Sequence, residues 1–240
     1  MGQSKYEEIY HNIKQKIEDH EYEKGSFLPS ENTLITVYDC SRNTVRRAIS
    51  KLIDDGYVQS SQGKGVSVIF TPTVHTSFKI GGIETFKESA ERNKVKTRTK
   101  VLTFEEITID RKTCTRTGLK EGEEAYHVLR LRFINNKPLI LDENYFLKKI
   151  VSGLTAEKAA LSVYDYIEGE LNVQILTSKR IMTVEHASEA DEKYIKLGDY
   201  NCMAVITSRA FTTGGLQFEY TVSRHHPDYF MFEDTAVRNR

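Results

Sequence analysis

Three runs of apolar residues at helical spacing, followed by a glycine-lysine-glycine turn, fill the first 70 of 240 residues. That order of elements constrains the fold more than any other feature of the chain. Tyr6, Ile9, Tyr10, Ile13 and Ile17 follow i, i+3, i+4, i+7 and i+11, the stripe of an amphipathic helix. Gly25 and Pro29 break the pattern, and Ser30 is placed to cap a short second helix with the stripe Leu34, Val37 and Tyr38. Asp39-Cys40-Ser41 is a tight connection in which Ser41 caps a third helix. Val45, Ala48, Ile49, Leu52 and Ile53 form its buried side, and Gly56 ends it in a left-handed conformation. The stretch "YVQSSQGKGVSVIF" then reads as two short strands about the Gly63-Lys64-Gly65 turn.

Charge is segregated within this head. Residues 1–70 carry nine Lys and Arg against ten Asp and Glu, and the whole chain balances at 34 against 34. A nucleic-acid argument therefore rests on where charge sits rather than on its total. The segment "CSRNTVRRAISKL" holds Arg42, Arg46, Arg47 and Lys51 with no acid. On a helix whose core side is Val45 and Ile49, the outward positions are Asn43, Arg46, Arg47 and Ser50, with Arg42 and Thr44 in the first turn. Guanidinium, amide and hydroxyl groups are those that contact phosphates and base edges. Charged helix faces are ordinarily just solvated. Here the neighbouring short helix, three-residue turn and Gly-rich hairpin complete a winged helix-turn-helix, whose capped helix enters the major groove by its N-terminal residues.

"LPSENTLITVYDCSRNTVRRAISKLIDDGYVQSSQGKG" resembles the DNA-binding domain of the GntR-type transcription regulators, and the resemblance covers nearly all of residues 6–69. It implies DNA contact by Arg42, Thr44, Arg46 and Gly63, with Ser30, Glu31, Ser41, Asn43, Gln62 and Lys64 beside them. One position departs from the family pattern. Asn32 stands where an arginine usually follows Pro-Ser-Glu, which removes one expected contact and raises the question of whether Arg47 replaces it.

Residues 71–77, "TPTVHTS", have neither helical nor alternating pattern and read as a linker between a 1–70 head and a 78–240 domain. The remainder is strand-rich. "KVLTFEEITI", "AYHVLRLRFIN", "KPLILDENYF", "RIMTVEH", "MAVITSRAFTT" and "LQFEYTVSRHH" are strand candidates, while "GGIETFKESAERN", "LSVYDYIEGEL" and "EADEKYIKL" have helical spacing. Turn signals at Asn135-Asn136 and Gly214-Gly215 argue for antiparallel hairpins rather than parallel crossovers, hence an α+β chain.

Strand alternation sets Arg130 and Arg132 on one face and Leu129, Leu131 and Phe133 on the other. A two-residue turn at Asn135-Asn136 or at Asn136-Lys137 would place Glu143 on the arginine face, together with Leu139 and Leu141. Two guanidiniums against an apolar wall suit a phosphate or carboxylate ligand, and a carboxylate beside them suits sugar hydroxyls. A cross-strand salt-bridge ladder is the alternative.

Residues 78–240 resemble the UTRA effector domain of the histidine-utilisation branch of these regulators. The resemblance implies a chorismate-lyase-like antiparallel sheet with flanking helices. It assigns effector contacts to Thr85 and the backbone at Phe86, to Arg130, Arg132 and Glu143, and to Ser162, Glu219 and His225. Both chain ends are similar to branch members that respond to trehalose 6-phosphate, an amino-sugar 6-phosphate being the alternative effector. The resemblance thus implies a homodimeric repressor of a trehalose operon that binds pseudo-palindromic double-stranded DNA.

Other features narrow the class. Cys40, Cys114 and Cys202 are scattered and odd in number, unlike a disulfide framework or a zinc site. His225-His226 are adjacent on a strand and face opposite ways, so no metal is expected and no cofactor is implied. No apolar run approaches the roughly 18 residues of a membrane span and the N-terminus lacks an apolar signal core, so a cytoplasmic protein without a membrane partner is expected. No nucleophile–base pair or cofactor loop points to an enzyme. An effector-independent DNA-binding protein remains the other alternative.

Overall fold

The computed structural model describes residues 4–61, 63–71, 83 and 85–231, which fall into two compact units, one on each side of the 71–77 stretch. That expected linker lies, apart from Thr71, outside the described residues.

The first unit is built from α1 (Lys5–Glu18), α2 (Glu31–Tyr38), α3 (Arg42–Asp54) and the antiparallel hairpin β1 (Val58–Ser61) and β2 (Gly65–Val68). Ile9, Ile13 and Ile17 of α1, Leu34 of α2, and Val45, Ala48 and Leu52 of α3 meet Tyr57, Val58 and Val68 in one core. Each fully buried Ile, Leu or Val there contributes roughly 1.5–3 kcal/mol against exposure. Ser30 and Ser41 cap α2 and α3, accepting from the N–H groups of Thr33 and Thr44. Asp39 closes α2 at φ 45° and Gly56 follows α3 at φ 74°. Val37 departs from its expected place and is 66% exposed. With about 100° per residue, Leu34, Tyr38 and Ile35 span one arc of α2 that packs on the core, and Val37 falls outside it. Gly63 and Gly65 both have positive φ, so the wing tip turns where side chains are disfavoured.

The second unit is one six-stranded antiparallel sheet. Its strands are β3 (Thr97–Thr108), β4 (Glu124–Ile134), β5 (Lys137–Leu147), β6 (Ile175–His186), β7 (Cys202–Thr212) and β8 (Gln217–His225). They lie in the order β3-β4-β5-β8-β7-β6, so the last of the described strands sits in the interior of the sheet. Against it pack α4 (Phe86–Arg92), α5 (Arg111–Thr117), α6 (Ala156–Ala159), α7 (Val163–Asp165, running into a π-helical turn at Tyr166–Glu170) and α8 (Glu189–Tyr194). One apolar cluster joins Tyr126, Val128 and Phe146 of the sheet to Ala159, Val163 and Ile167. A second joins Leu131, Leu141, Met203 and Val205 to Ile195 and Leu197 beyond α8. The six strands expected from alternation all form. The short helices α5 and α6 were not anticipated, because neither carries an apolar stripe.

The β4–β5 hairpin corrects the expected register. Asn135 and Asn136 both adopt positive φ, 49° and 66°, and make the two-residue turn. Phe133 then pairs with Pro138, but Arg132 pairs with Ile140, because a bulge inserts Leu139. Pro138 has no N–H to give to the ladder, and bulges are where strands accommodate proline. The extra residue reverses the parity of β5. Asp142 therefore shares the face of Arg130 and Arg132, and Glu143 lies on the opposite face with Leu141. Leu139, likewise, does not line the arginine face.

Candidate functional site

On the first unit, Arg42, Asn43, Arg46 and Arg47 are exposed along α3, and Thr44 is half-buried beside the Ser41 cap. The first turn of α2 supplies partners to two of the arginines. Arg42 Nη2 donates to Asn32 Oδ1 at 2.9 Å, and Arg46 Nε donates to Glu31 at 3.1 and 3.2 Å from its two oxygens. Arg47 instead lies 3.9 Å over the Tyr6 ring of α1, on a different side of the helix from that pair. Asn32 thus takes up an arginine of α3, while Arg47 lies against α1. The Arg46–Glu31 pair is exposed on both sides and worth little by itself, so a phosphate or base edge can replace the carboxylate at small cost. Gly63 and Lys64 are exposed at the wing tip. Gln62 lies outside the described residues.

In the second unit, Thr85, Phe86, Arg130, Arg132, Ser162, Glu219 and His225 line one cavity of about 620 Å³. Its floor is the face of β4, β5, β8, β7 and β6, and α4 and α7 form its rim. Thr85 and Ser162 hold the rim as helix caps, accepting from the N–H groups of Glu88 and Asp165. The carboxylate of Glu88 accepts in return from the Thr85 N–H at 2.7 Å. Arg130 is 4% exposed; its Nε donates to Asn144 Oδ1 at 3.0 Å and its Nη1 to the Ala159 carbonyl at 3.4 Å. Arg132 lies 4.5 Å over the Phe86 ring and donates to Asp142.

Electrostatics divide the cavity. Burial, together with the charge of Arg132, brings the Arg130 guanidinium down to about 10, so it stays cationic at neutral pH. Burial pushes the Asp142 carboxyl up, but the charges of Arg132 and Arg130 and the Ser223 hydroxyl more than offset this and hold it below the usual range. Two cations therefore face one carboxylate, and the cluster keeps a net positive charge. Beyond Arg130 the network continues: Asn144 Nδ2 donates to Thr221 at 2.6 Å, Thr221 donates to Glu219 at 2.6 Å, and the Tyr164 hydroxyl donates to the second Glu219 oxygen. Burial and the Glu219 carboxylate raise the Tyr164 phenol, which keeps its proton as a donor. His225 lies within hydrogen-bond distance of Ser223, and burial holds its imidazole down to about 4, hence neutral at pH 7. The arrangement offers a cationic end for an anion and a directed series of donors and acceptors for hydroxyls.

Glu143, expected in this cavity, belongs to a separate cluster across the sheet. Arg116 of α5 grips it through two 3.1 Å bonds, His127 Nε2 lies at 3.1 Å and the Tyr145 hydroxyl donates at 2.8 Å. Burial pushes its carboxyl up, but these three partners outweigh that and bring it down to about 2. Residues that sequence reasoning missed are Asp142, Asn144, Tyr164, Arg180, Thr221 and Ser223. The run Glu219, Thr221, Ser223, His225 was accessible from period-two spacing alone. Asp142 and Asn144 required recognising Pro138 as a bulge signal. Among the described residues no group of three or more His, Cys, Asp or Glu could hold a metal ion, and no helix is long and apolar enough to cross a membrane.

Comparison with known proteins bears on both units. Residues 5–68 match the bacterial regulatory proteins of the gntR family, and residues 92–231 match the UTRA domain. The HTH-type transcriptional regulator TreR of Bacillus subtilis is 33% identical over the whole of both chains. The mannosyl-D-glycerate transport/metabolism system repressor MngR of Escherichia coli is 26% identical over 97% of this chain and 96% of its own. Among solved structures, the possible transcriptional regulator YydK of B. subtilis superposes with a TM-score of 0.80 over 98% of this chain and 100% of that one, at 24% identity, a likeness of fold. The effector-binding domain of the B. subtilis trehalose repressor has a TM-score of 0.54 at 31% identity, covering 60% of this chain and 99% of that domain. With its winged head, its six-stranded sheet and these matches over its full length, the chain belongs to the GntR family of bacterial transcriptional regulators and carries a UTRA domain as its second unit.

Proposed function

We propose that this regulator is a homodimeric repressor of a trehalose utilisation operon, released from its operator by trehalose 6-phosphate. The observation that carries the effector reading is the polarity of the cavity. Arg130 and Arg132 meet the Asp142 carboxylate, and from Arg130 the series Asn144, Thr221, Glu219 and Tyr164 continues along the cavity wall. A phosphate ester accepts from guanidiniums bidentately, and sugar hydroxyls both donate to Glu219 and accept from amide and hydroxyl protons. The volume falls within the range of small-molecule sites and suits a phosphorylated disaccharide. Thr85 and the Phe86 backbone complete the anion end once the Glu88 carboxylate gives up the Thr85 N–H. The similarity to TreR favours trehalose 6-phosphate over other sugar phosphates.

On DNA, Arg42 and Arg46 read bases from the N-terminal half of α3, Asn32 and Glu31 orient them, and Lys64 approaches the backbone. Affinity then falls steeply with salt, because each neutralised phosphate releases counterions. Effector binding weakens the DNA complex only as far as the effector prefers one arrangement of the protein over another.

Thermal melting of the full chain tests the effector. Trehalose 6-phosphate at about 100 times its dissociation constant adds roughly 2.7 kcal/mol, a rise of a few degrees. Free trehalose and glucose 6-phosphate serve as half-ligands, and amino-sugar 6-phosphates as competitors. A larger shift with an amino-sugar phosphate keeps the regulator and discards trehalose; no shift with any of them discards the cavity as a sugar-phosphate site. Arg46→Ala is expected to abolish operator binding while preserving the melting shift, and Arg132→Ala to remove the shift.

A further inference from the structure

Strand register carries polar side chains across the cavity floor as far as β6. Asn144 of β5 pairs with Thr221 of β8, Thr221 with Ser208 of β7, and Ser208 with Arg180 of β6. Directly opposed residues share a face of the sheet, and all four of these line the cavity. Ser178, two residues before Arg180, points the same way and lines it as well. At the start of the row Asn144 accepts from Arg130 of β4. Three strands separate β4 from β6, which makes four spacings, about 19 Å of backbone. A phosphate gripped by Arg130 and Arg132 therefore leaves Ser208, Ser178 and Arg180 to whatever the ligand carries on its remote side.

The chemistry of that remote side follows from charge and from open hydrogen-bonding capacity. Arg180 is half-buried, and its charge bears on the Tyr164 phenol, whose hydroxyl donates to Glu219. One cation thus stands near one carboxylate, whereas at the arginine pair two cations share Asp142. The excess that draws an anion lies with the pair, and the balanced β6 side suits neutral hydroxyls, which accept from a guanidinium and donate to a carboxylate. The hydroxyls of Ser178 and Ser208 make no hydrogen bond among the described residues, so each can donate to and accept from a ligand.

We propose that Arg180, with Ser178 and Ser208, forms a subsite for the sugar ring remote from the phosphate and makes the cavity selective for phosphorylated disaccharides over hexose phosphates. The proposal rests on the sugar-phosphate reading and names the residues that set the size of the ligand. A hexose phosphate leaves these groups without ligand partners, the situation in which a hydrogen-bonding site discriminates most strongly.

Isothermal titration calorimetry of the full chain with trehalose 6-phosphate and glucose 6-phosphate tests this. The parent is expected to bind the disaccharide phosphate at least about tenfold more tightly, a ratio that one or two hydrogen bonds to a charged group supply. Arg180→Ala is expected to remove that ratio by weakening trehalose 6-phosphate alone, with glucose 6-phosphate moved by less than about twofold. Ser208→Ala should act in the same sense and less. Equal losses for both ligands, or an unchanged ratio, would overturn the subsite. If Arg180→Ala fails to fold, Arg180→Lys keeps the charge, loses the planar fork and is judged by the same ratio. Maltose 6′-phosphate separates this proposal from the choice of trehalose. Binding of that ligand alone, weakened in Arg180→Ala, discards trehalose and supports the subsite. A parent that holds glucose 6-phosphate as tightly as either disaccharide overturns the subsite and leaves a sugar-phosphate site, and a parent that binds none of the three overturns the subsite together with the trehalose 6-phosphate reading.

Discussion

Asp142 and Glu143 are adjacent in sequence, each is held by arginine, and they serve opposite faces of the same strand. On the cavity face, Asp142 is 3% exposed and meets two guanidiniums beside open volume. On the other face, the half-buried Glu143 is met by one guanidinium, one imidazole and one phenol. The first cluster has more positive charge than its carboxylate neutralises and room for a further anion. The second fastens α5 to the sheet and is complete. Stoichiometry and space separate a binding site from a brace.

The strongest way to break that comparison is Arg130→Ala. It removes a buried cation beside Asp142, and because Arg132 remains, the loss is expected at about 3 kcal/mol, the lower end for severing a buried pair. Chemical denaturation should register it, together with loss of the sugar-phosphate melting shift. Glu143→Gln is expected to cost less, about 1–2 kcal/mol at pH 7, from weakened charge-assisted bonds, and to leave the ligand shift intact. A lost shift in this variant would erase the distinction between the faces. Because the folded carboxyl lies at about 2, below its ordinary value near 4.5, its contribution is fully present above about pH 4.5 and fades as pH falls toward 2. Parent and variant stabilities should therefore converge in acid.

The smallest effects sharpen the comparison through their sign. His225 on the cavity face titrates at about 4 when folded, so the unfolded chain takes its proton first and stability falls as pH drops from about 6.5 to 4. His127 on the opposite face is raised, chiefly by its hydrogen bond to Glu143, so its contribution is full below about pH 6.5 and is lost as pH rises through its folded value. His225→Gln should flatten the acid side of a melting-temperature profile, and His127→Gln should lower the profile below pH 6.5. Profiles displaced in the same sense would contradict the assignment.

Much of the fold was legible because each signal was local and repeated. The stripes of α1 and α3, the caps Ser30 and Ser41, and the six alternating strands were each signalled by residues that agree, whereas in the short α2 one of three stripe residues, Val37, turned outward. The Asn135-Asn136 turn was legible for the same reason. The face of Glu143 was not, because parity along β5 hangs on a single insertion at Leu139, and one bulge transfers every later residue to the other side. Helix α5, "RKTCTRT", has no apolar periodicity; its Asp110 cap and Gly118 terminator were the available signal. The pairing of Arg42 with Asn32 and of Arg46 with Glu31 depends on how α2 meets α3, which spacing within either helix does not encode.

The position of β8 between β5 and β7 has a consequence for synthesis. Among the described residues, the buried core of the winged head is drawn from residues 9–68. The sheet, by contrast, stays divided until residues 217–225 emerge, and Glu219, Thr221, Ser223 and His225 arrive with that last strand. At about 5–20 residues per second, roughly 10–30 s separate the end of the head from the end of the chain on the ribosome. The head can fold early from local contacts, while the second unit waits on pairings of long sequence separation. A message that stops short of residue 217 therefore yields a product without β8 and without a complete cavity, although every buried residue of the described head core is present.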